Sequence, residues 1–323
     1  MQAPKKSVLT FIVRGALSLL LIGGLVYHIG SSAIIGQIQA MRWQIFALVV
    51  AILASHVLLV TPRWATILRG LGYPLSSFAL VGSVYLGFLF NQVLPTAVGG
   101  DVLRAWRAQQ IGVPWGVAIH SVLFDRASGL IVVLLGAFVL LPFADPNAVR
   151  SGLPWTIGSL AAGGLIAVAV IGTLGRMTVP LPMLGSVQRL CAEFLRSFAD
   201  LSRRPWLLLL VGLLAAIGQL IPVAAIALLA KDLHIHVALI DIAVICFGAM
   251  LAAAIPISLA GWGLREGALV YLFGLYGVPA ETALALSISF GACLVFASAP
   301  GILPLLAQGL IDRSKEKSAD KRA

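Results

Sequence analysis

Eight apolar stretches, most of them about twenty residues long, constrain this chain more than any other feature of its sequence. A helix needs about 20 apolar residues to cross the hydrocarbon core of a bilayer. Hydrophobic residues make up 60% of the chain and charged residues only 11%, whereas a soluble domain carries roughly 25% charged residues. The sequence therefore predicts an all-α polytopic membrane protein with one transmembrane domain over residues 1–323. The apolar segments are Val8–His28, Gln44–Val60, Ser76–Leu94, Gly116–Leu141, Trp155–Leu174, Trp206–Leu229, Val237–Ile255 and Glu281–Leu306.

The formal charge of +10 is concentrated in the joints between these segments, where it predicts the orientation of the helices. Basic residues in short joints favour the cytoplasmic side. The segments expected inside hold Lys5 and Lys6, Arg63 and Arg69, residues 176–204 and the basic tail 311–323. Both termini are then cytoplasmic in a multi-pass protein of the cell (inner) membrane. Because no basic patch is interleaved with aromatic residues, no nucleic-acid partner is expected.

The segment Val187–Leu201 has an apolar face and a charged face at helical spacing. It predicts a helix in the cytoplasmic interface that contacts anionic membrane lipid. The alternative is a solvated N-terminal extension of the following span.

The sequence is also compatible with a homo-oligomer.

Two joints do not fit a plain succession of full crossings. If Ser76–Leu94 crossed completely, Arg104 and Arg107 would face outside, against the positive-inside rule. A hairpin that turns back within the membrane returns both to the cytoplasm, and the same argument applies to Val237–Ile255 and the residues after it. The prediction is therefore about six full spans and two re-entrant helix hairpins.

The two hairpins share a motif. Leu94–Arg104 and Ile255–Arg265 carry Pro, Gly, Leu and Arg at matching positions, related by a shift of 161 residues. Since the charge rule gives the two segments opposite orientations, the pattern indicates an inverted-topology repeat. The halves are expected at about 1–150 and 151–310.

Prolines and glycines in each motif predict breaks in the helices at membrane depth. A break frees backbone N–H groups that lipid cannot satisfy, so these groups must face protein, water or a polar ligand. A short helix is expected to follow each break, with its positive N-terminal end directed into a midplane cavity. The predicted break residues are Pro95, Gly99, Gly100, Pro256, Gly261 and Gly263.

Arg104 and Arg265 lie close to the starts of these two short helices. A helix N-terminus with an arginine suits an anionic group, and phosphate on lipid headgroups is the anion most often available in a membrane. Charges at membrane depth usually pair with each other or line a polar path, so Asp125 with Arg104, and Glu266 with Arg126, are expected pairs. The alternative is mutually neutralised charges that hold the hairpins without contacting a substrate. The candidate substrate-binding residues are Arg104, Arg265, Asp101, Asp125, Arg126, Glu266 and Asn91.

The three cysteines, Cys191, Cys246 and Cys293, form no CxxC pair and have no histidine at metal-ligand spacing. No disulfide framework, metal site or cofactor is expected. Gly261, Gly263 and Gly267 lack the spacing of a dinucleotide-binding loop.

The motifs Asn91–Arg104, Phe124–Arg126 and Pro256–Gly267 resemble the signatures of the lysylphosphatidylglycerol synthase transmembrane (flippase-like) family. The resemblance covers nearly the whole chain. It implies re-entrant helices, an inverted internal arrangement, and movement of an aminoacylated phospholipid to the outer leaflet, with site roles for Asp101, Arg104, Asp125, Arg126, Arg265 and Glu266. The usual family pattern has Glu-Arg where Asp125-Arg126 stands here.

The expected function is that of a membrane lipid transporter or flippase. It would bind the phosphate of a phospholipid or polyprenyl-phosphate-type lipid in the cavity between the hairpins. Seventeen residues follow the last span, which ends at Leu306. The soluble aminoacyl transferase domain of the best-known family members is therefore expected to be absent, and the chain is not expected to be an enzyme. The alternatives are an integral membrane lipid-dependent transferase, a small-solute or ion transporter with the same broken-helix plan, and a partner subunit that anchors another protein.

Overall fold

The computed structural model describes four long parts of the chain. They are residues 23–93 except 28, 99–150, 203–254 and 262–304, with the isolated residues 152, 154, 158, 159, 162, 194 and 306. Every regular element within these residues is helical. The predicted spans Val8–His28 and Trp155–Leu174, the interfacial segment Val187–Leu201 and the basic tail lie wholly or mostly outside the described residues.

Residues 23–27 and 29 are helical, and the first helix with both ends described begins after Gly30, which has a positive φ of 96°. A two-residue turn follows the helix α1 (Ser31–Ala40). The helices α2 (Trp43–Ser55) and α3 (Val57–Gly70) then meet at His56 and together form one apolar stretch of 28 residues. Pro146–Arg150 forms the short α7. The elements are α1 (Ser31–Ala40), α2 (Trp43–Ser55), α3 (Val57–Gly70), α4 (Ser77–Val93), α5 (Gly99–Gln110), α6 (Trp115–Leu140) and α7 (Pro146–Arg150).

The second series follows the segment 151–202. It consists of α8 (Pro205–Asp232), α9 (Leu239–Ala254), α10 (Leu264–Gly274) and α11 (Ala280–Ser298). Four stretches of the described residues are long and apolar enough to cross a membrane, namely Trp43–Gly70, Trp115–Phe143, Pro205–Asp232 and Ala280–Ile302. The helices α4 and α9 are apolar but shorter. For the described residues, the all-α class and the presence of helices able to span a membrane are therefore confirmed.

One expectation about the joints is wrong. Arg63 does not lie in a cytoplasmic joint, because the helix that starts at Val57 continues to Gly70 and buries Arg63. Pro62 is accommodated inside this helix, only six residues beyond the change of helix at His56. Arg69, in the last turn of α3, is exposed. The predicted span Gln44–Val60 ends too early because Arg63 was interpreted as a surface residue, whereas it is buried and paired with a carboxylate.

The two series have the same order of helix lengths. The span formed by α2 and α3 and the span α8 each contain 28 residues, and a shift of 162 carries Trp43 to Pro205 and Gly70 to Asp232. The same shift carries His56 to Gly218. These two residues face each other, since a Cβ on Gly218 would lie 3.3 Å from His56 Nε2.

The packing partners also correspond between the two series. The pairs α3–α4, α4–α5, α5–α6 and α3–α6 in the first series match α8–α9, α9–α10, α10–α11 and α8–α11 in the second. Contacts between the series match as well: α6 packs on α9 and α8, while α11 packs on α4 and α2. The corresponding helices therefore share most of their packing partners in the two series.

Polar contacts join the helix ends in two separate groups. In the first group, Arg42 before α2 pairs with Asp232 at the end of α8 through its Nε at 2.5 Å. Asp241 at the start of α9 accepts hydrogen bonds from the Asp145 N–H and the Tyr276 hydroxyl, both at 2.9 Å. Burial, together with the hydrogen bond to the Asp241 carboxylate, raises the pKa of Tyr276, so the phenol remains a donor.

The second group of ends surrounds Pro304, beyond α11. Arg107, near the end of α5, donates to the Pro304 carbonyl oxygen at 3.3 Å. A Cβ added to Gly82, near the start of α4, would lie 3.4 Å from the Pro304 ring. The start of α4 and the end of α5 therefore lie at the same end of the helix bundle, so α4 and α5 form a hairpin.

Two glycines allow the backbones of this hairpin to touch. A Cβ on Gly100 would overlap the Gly87 carbonyl oxygen and lie 2.6 Å from Asn91 Oδ1. The Asn91 side-chain oxygen accepts the Gly100 N–H at 3.2 Å, which satisfies one of the free donors at the start of α5.

We expect Gly100→Ala to destabilise the protein by about 1–3 kcal/mol, because the added methyl group forces α5 away from α4. Gly267→Ala is the matched control: this helical glycine has no atom within 4 Å of an added Cβ, and alanine there should be neutral or stabilising. Thermal unfolding of the purified protein in detergent checks both. Equal midpoints for the two variants would contradict the close contact between α4 and α5.

Candidate functional site

Asp125 is the centre of a buried group of charges. It lies on α6, with its side chain 2% exposed, and its two oxygens accept from different helices. Arg63 on α3 donates through Nε to Oδ1 at 2.6 Å, and Arg104 on α5 donates through Nη1 to Oδ2 at 2.9 Å. One carboxylate therefore connects three helices, and each partner reduces the cost of burying the others.

Asp101 is the second carboxylate of this group. It lies in the first turn of α5, where a negative charge is favoured by the helix dipole. Arg126 on α6 donates to it through Nε at 2.7 Å and through Nη2 at 3.1 Å, a two-pronged geometry that suits a guanidinium and a carboxylate. Arg104 Nη1 lies 3.8 Å from Asp101 Oδ1 and joins the two pairs.

We call Arg63, Asp101, Arg104, Asp125 and Arg126 the charge cluster. It contains three guanidinium groups and two carboxylates, so one positive charge is uncompensated within it. Within the described residues, two Arg104 donors, Nε and Nη2, are buried without a hydrogen-bond partner. Buried donors are normally satisfied, so the cluster can accept a further anionic or acceptor group.

The charge cluster lies deep in the helix bundle, but one member reaches the surface. Arg126 follows Trp115, the start of α6, by eleven residues, which is about 17 Å along a helix axis. That is roughly half the thickness of a hydrocarbon core. Its side chain is nevertheless 53% exposed, whereas those of Arg63 and Arg104 are 9% and 5% exposed.

The second series carries a different and smaller set of charges. Glu266, with a fully buried side chain, accepts from Arg265 Nε at 3.0 Å and Nη2 at 2.5 Å. Its other oxygen accepts the Gly263 N–H at 2.5 Å. These residues begin α10, so the carboxylate both neutralises the arginine and satisfies a free backbone donor. We call Arg265 and Glu266 the Arg265–Glu266 pair. The formal charge of this pair is zero.

Arg104 and Arg265, which we call the hairpin arginines, both stack on tryptophan. The Arg104 guanidinium lies 4.5 Å from the Trp64 ring centroid, and Arg265 lies 4.7 Å from that of Trp262 and 5.5 Å from that of Phe290. Such cation–π contacts hold a guanidinium in a fixed plane. Trp64 is itself fixed, because its Nε1–H donates to the Ser121 hydroxyl at 2.9 Å.

A glycine on a neighbouring helix makes room for each of these arginines. A Cβ on Gly87 of α4 would lie 2.6 Å from Arg104 Cγ, and a Cβ on Gly291 of α11 would lie 2.6 Å from Arg265 Nη2. Gly291 follows Ala280, the start of α11, by eleven residues, and Asp125, the partner of Arg104, follows Trp115, the start of α6, by ten. Arg104 and Arg265 thus contact corresponding parts of α6 and α11.

The sequence-based candidates are brought together in part. Asp101, Arg104, Asp125 and Arg126 meet in the charge cluster, and the expected contact of Asp125 with Arg104 is present. The expected pair of Glu266 with Arg126 is not formed, because Glu266 is engaged by Arg265 on the same helix, and Arg126 by Asp101. The break residues Pro95, Pro256 and Gly261 lie outside the described residues, whereas Gly99, Gly100 and Gly263 lie at helix starts.

Sequence reasoning missed Arg63, Trp64 and the two spacing glycines. Arg63 had a detectable signal, since the helical apolar pattern of Trp64, Ile67 and Leu68 continues past it. Within the described residues, no group of three or more His, Cys, Asp or Glu residues could hold a metal ion. The described cysteines, Cys246 and Cys293, are free and buried.

These features define a polytopic helical membrane protein with buried ionic groups at the depth of its spans. A family model described as the lysylphosphatidylglycerol synthase TM region matches residues 11–301, so the chain belongs to that family. It is also similar to the UPF0104 membrane protein MJ1595 of Methanocaldococcus jannaschii. The two are 23% identical over 303 residues, which cover 87% of this chain and 88% of the relative.

We expect Asp125→Asn to destabilise the protein by about 3–5 kcal/mol, because Arg63 and Arg104 then remain buried without their shared counter-charge. Removing Arg63 as well, in Arg63→Gln with Asp125→Asn, should recover part of this loss. Glu281→Gln, in the first turn of α11, is the control and should change stability little. Chemical or thermal unfolding in detergent measures these three variants and the single Arg63→Gln variant. A double variant that is less stable by the sum of the two single effects would contradict the coupling.

Proposed function

We propose that the protein is a membrane lipid transporter, a flippase, that binds a phosphate-bearing lipid headgroup at the charge cluster. The observation that carries this proposal is the uncompensated positive charge of the cluster, together with the unpartnered Arg104 donors. A phosphate monoanion would neutralise the charge and accept those donors. Charged side chains at such depth usually mark a substrate path.

The exposed side chain of Arg126 supports a route from the surface to the cluster. A guanidinium at the middle of a span is costly in hydrocarbon, so its exposed face must meet water or a polar group. A headgroup that enters between helices would reach Arg126 first and then Arg104, which lies deeper. The acyl or prenyl chains would meanwhile remain in the bilayer.

An inverted repeat with two re-entrant hairpins is part of the proposal. The matching helix lengths, the matching packing partners and the contacts of Arg107 and Gly82 with Pro304 support it. So does the contact of each hairpin arginine with the middle of the following span. In transporters of this plan, the site lies between the repeats, and movement of one repeat against the other exposes it to each leaflet in turn.

The two halves then have different roles. Arg265 is neutralised by its neighbour Glu266 and enclosed by Trp262 and Phe290, whereas the charge cluster has a positive charge to spare. We therefore assign phosphate binding to Arg104 and Arg126, with Asp101, Asp125 and Asn91 positioning them. The Arg265–Glu266 pair forms the opposite wall. The sequence predicts phosphate binding by Arg104 and Arg265 alike. This assignment keeps that role for Arg104, gives it also to Arg126, and removes it from Arg265.

The family supports a lipid as the substrate, since its description refers to lysylphosphatidylglycerol, a phosphate-bearing lipid. A polyprenyl phosphate would present the same anion. Movement would be passive or driven by an ion gradient, and Asp125 or Glu266 is where a proton could couple to it.

Leaflet exchange in proteoliposomes tests the proposal. The probes are headgroup-labelled phosphatidylglycerol, a labelled prenyl phosphate and a labelled lipid without phosphate. We expect exchange of at least one phosphate-bearing lipid, slowed about tenfold or more by Arg126→Gln and by Arg104→Gln, because each loses a charge-assisted hydrogen bond. Arg265→Gln should have a smaller effect.

Arg69→Gln is the matched control, since Arg69 is exposed at the end of α3, and it should leave exchange unchanged. Size-exclusion profiles and unfolding midpoints verify that the variants are folded. Absence of exchange for every lipid, with and without an ion gradient, would refute the flippase. Exchange that is unaffected by Arg104→Gln and Arg126→Gln would refute the site.

A further inference from the structure

A groove lies between α1, α2 and α11, away from the charge cluster. Its volume is about 230 Å³, and seven residues line it: Ile38, Met41, Trp43, Phe46, Ile288, Ser289 and Ala292. Six of them are apolar. The charge cluster is formed by α3, α5 and α6, none of which contributes to the groove, so the two are separate sites.

The surface around the groove is of the kind that faces lipid. Trp43 is 73% exposed, and Phe296, which packs edge-to-face on Phe46 with centroids 5.7 Å apart, is 60% exposed. Both lie on stretches long and apolar enough to cross a membrane. The groove is therefore open to hydrocarbon chains, which are the molecules present at that surface.

Arg42 lies in the chain between Met41 and Trp43, two of the residues that line the groove. Its backbone N–H and its Nε both contact Asp232, at 2.9 and 2.5 Å, which fixes the position of the guanidinium. The side chain is still 64% exposed, whereas that of Asp232 is 2% exposed. Asp232 is contacted through the backbone N–H and Nε of Arg42, so the Nη groups of this exposed side chain are left to meet a phosphate. Arg265 is also paired with a carboxylate, but its side chain is only 11% exposed.

The depth of this arrangement differs from that of the charge cluster. Arg42 directly precedes the continuous stretch Trp43–Gly70, and Arg63 lies twenty-one residues further on. That separation is about 30 Å along a helix axis, comparable to the thickness of a hydrocarbon core. Arg42 and the charge cluster are therefore well separated along one span.

We propose that the groove holds one acyl chain of a diacyl phospholipid whose phosphate binds Arg42. This is a second lipid site, at the N-terminal end of the span that carries Arg63. Its role as the place where a lipid resides before or after translocation rests on the proposed function, but binding there does not. Trp43 beside Arg42 suits the boundary between headgroups and chains.

Photo-crosslinking tests this site without any transport. The purified full chain in maltoside micelles, which contain no phosphate, is mixed with phosphatidylglycerol carrying a diazirine in one acyl chain. Mass spectrometry of peptides locates the label. We expect labelling concentrated on the groove, with a diacylglycerol probe of the same chain labelling it about tenfold less, since that probe lacks the phosphate contact.

Variants test separately the two parts of the proposal, namely the acyl chain in the groove and the phosphate at Arg42. Ala292→Trp fills the groove and should abolish labelling there, while Leu213→Trp, an exposed position on α8, should not. Arg42→Gln should lower groove labelling about tenfold. Asp232→Asn keeps the Arg42 charge and should retain labelling, which distinguishes phosphate binding from mere loss of the ion pair.

Equal labelling of the groove and of the α8 surface, or labelling that survives Ala292→Trp, would overturn the proposal. Equal labelling by the diacylglycerol and phosphatidylglycerol probes would overturn the role of Arg42. Because no lipid has to cross the bilayer, a negative result in the exchange assay leaves this measurement unaffected.

Discussion

The cost of placing a guanidinium group in hydrocarbon governs the interior of this protein. An uncompensated charge at the centre of a span costs several kcal/mol, so each buried arginine requires a carboxylate, an aromatic face and space. Asp125 provides the carboxylate for Arg63 and Arg104. Trp64 provides the aromatic face, and Gly87 leaves the space. Residues on four helices, α3 to α6, are thus determined by the need to stabilise a few cations.

The two series of helices meet this requirement differently. In the first, the hairpin arginine depends on carboxylates that include one from another helix, so its charge is stable only when α3, α5 and α6 are assembled. In the second, Glu266 follows Arg265 directly, and the pair is complete within one turn of α10. In the second series the following span, α11, contributes Phe290 to the contacts of Arg265. In the first series the following span, α6, contributes Asp125 to those of Arg104. The first arrangement is therefore responsive to helix movement, and the second is self-contained.

Much of the fold could be predicted because hydropathy and helix breaks are local properties. The spans around α6, α8 and α11, and the short helices after Gly99 and Gly263, follow from apolar runs and glycines near each other in the sequence. Arg63 could not be placed this way, since its partner Asp125 is 62 residues distant and a charge at the end of an apolar run resembles a joint. The pairing of Arg126 with Asp101 rather than Glu266 likewise depends on which helices pack together.

The contact between Gly100 and Gly87 has a mechanical consequence. Because the backbones of α4 and α5 touch there and Asn91 bonds to the start of α5, the two helices cannot slide past each other without losing that contact. Asp101 and Arg104, which lie on α5, must then move together with α4 as one rigid unit. Any relative displacement is therefore concentrated between α5 and α6, where it must break the contacts of Asp101 with Arg126 and of Arg104 with Asp125.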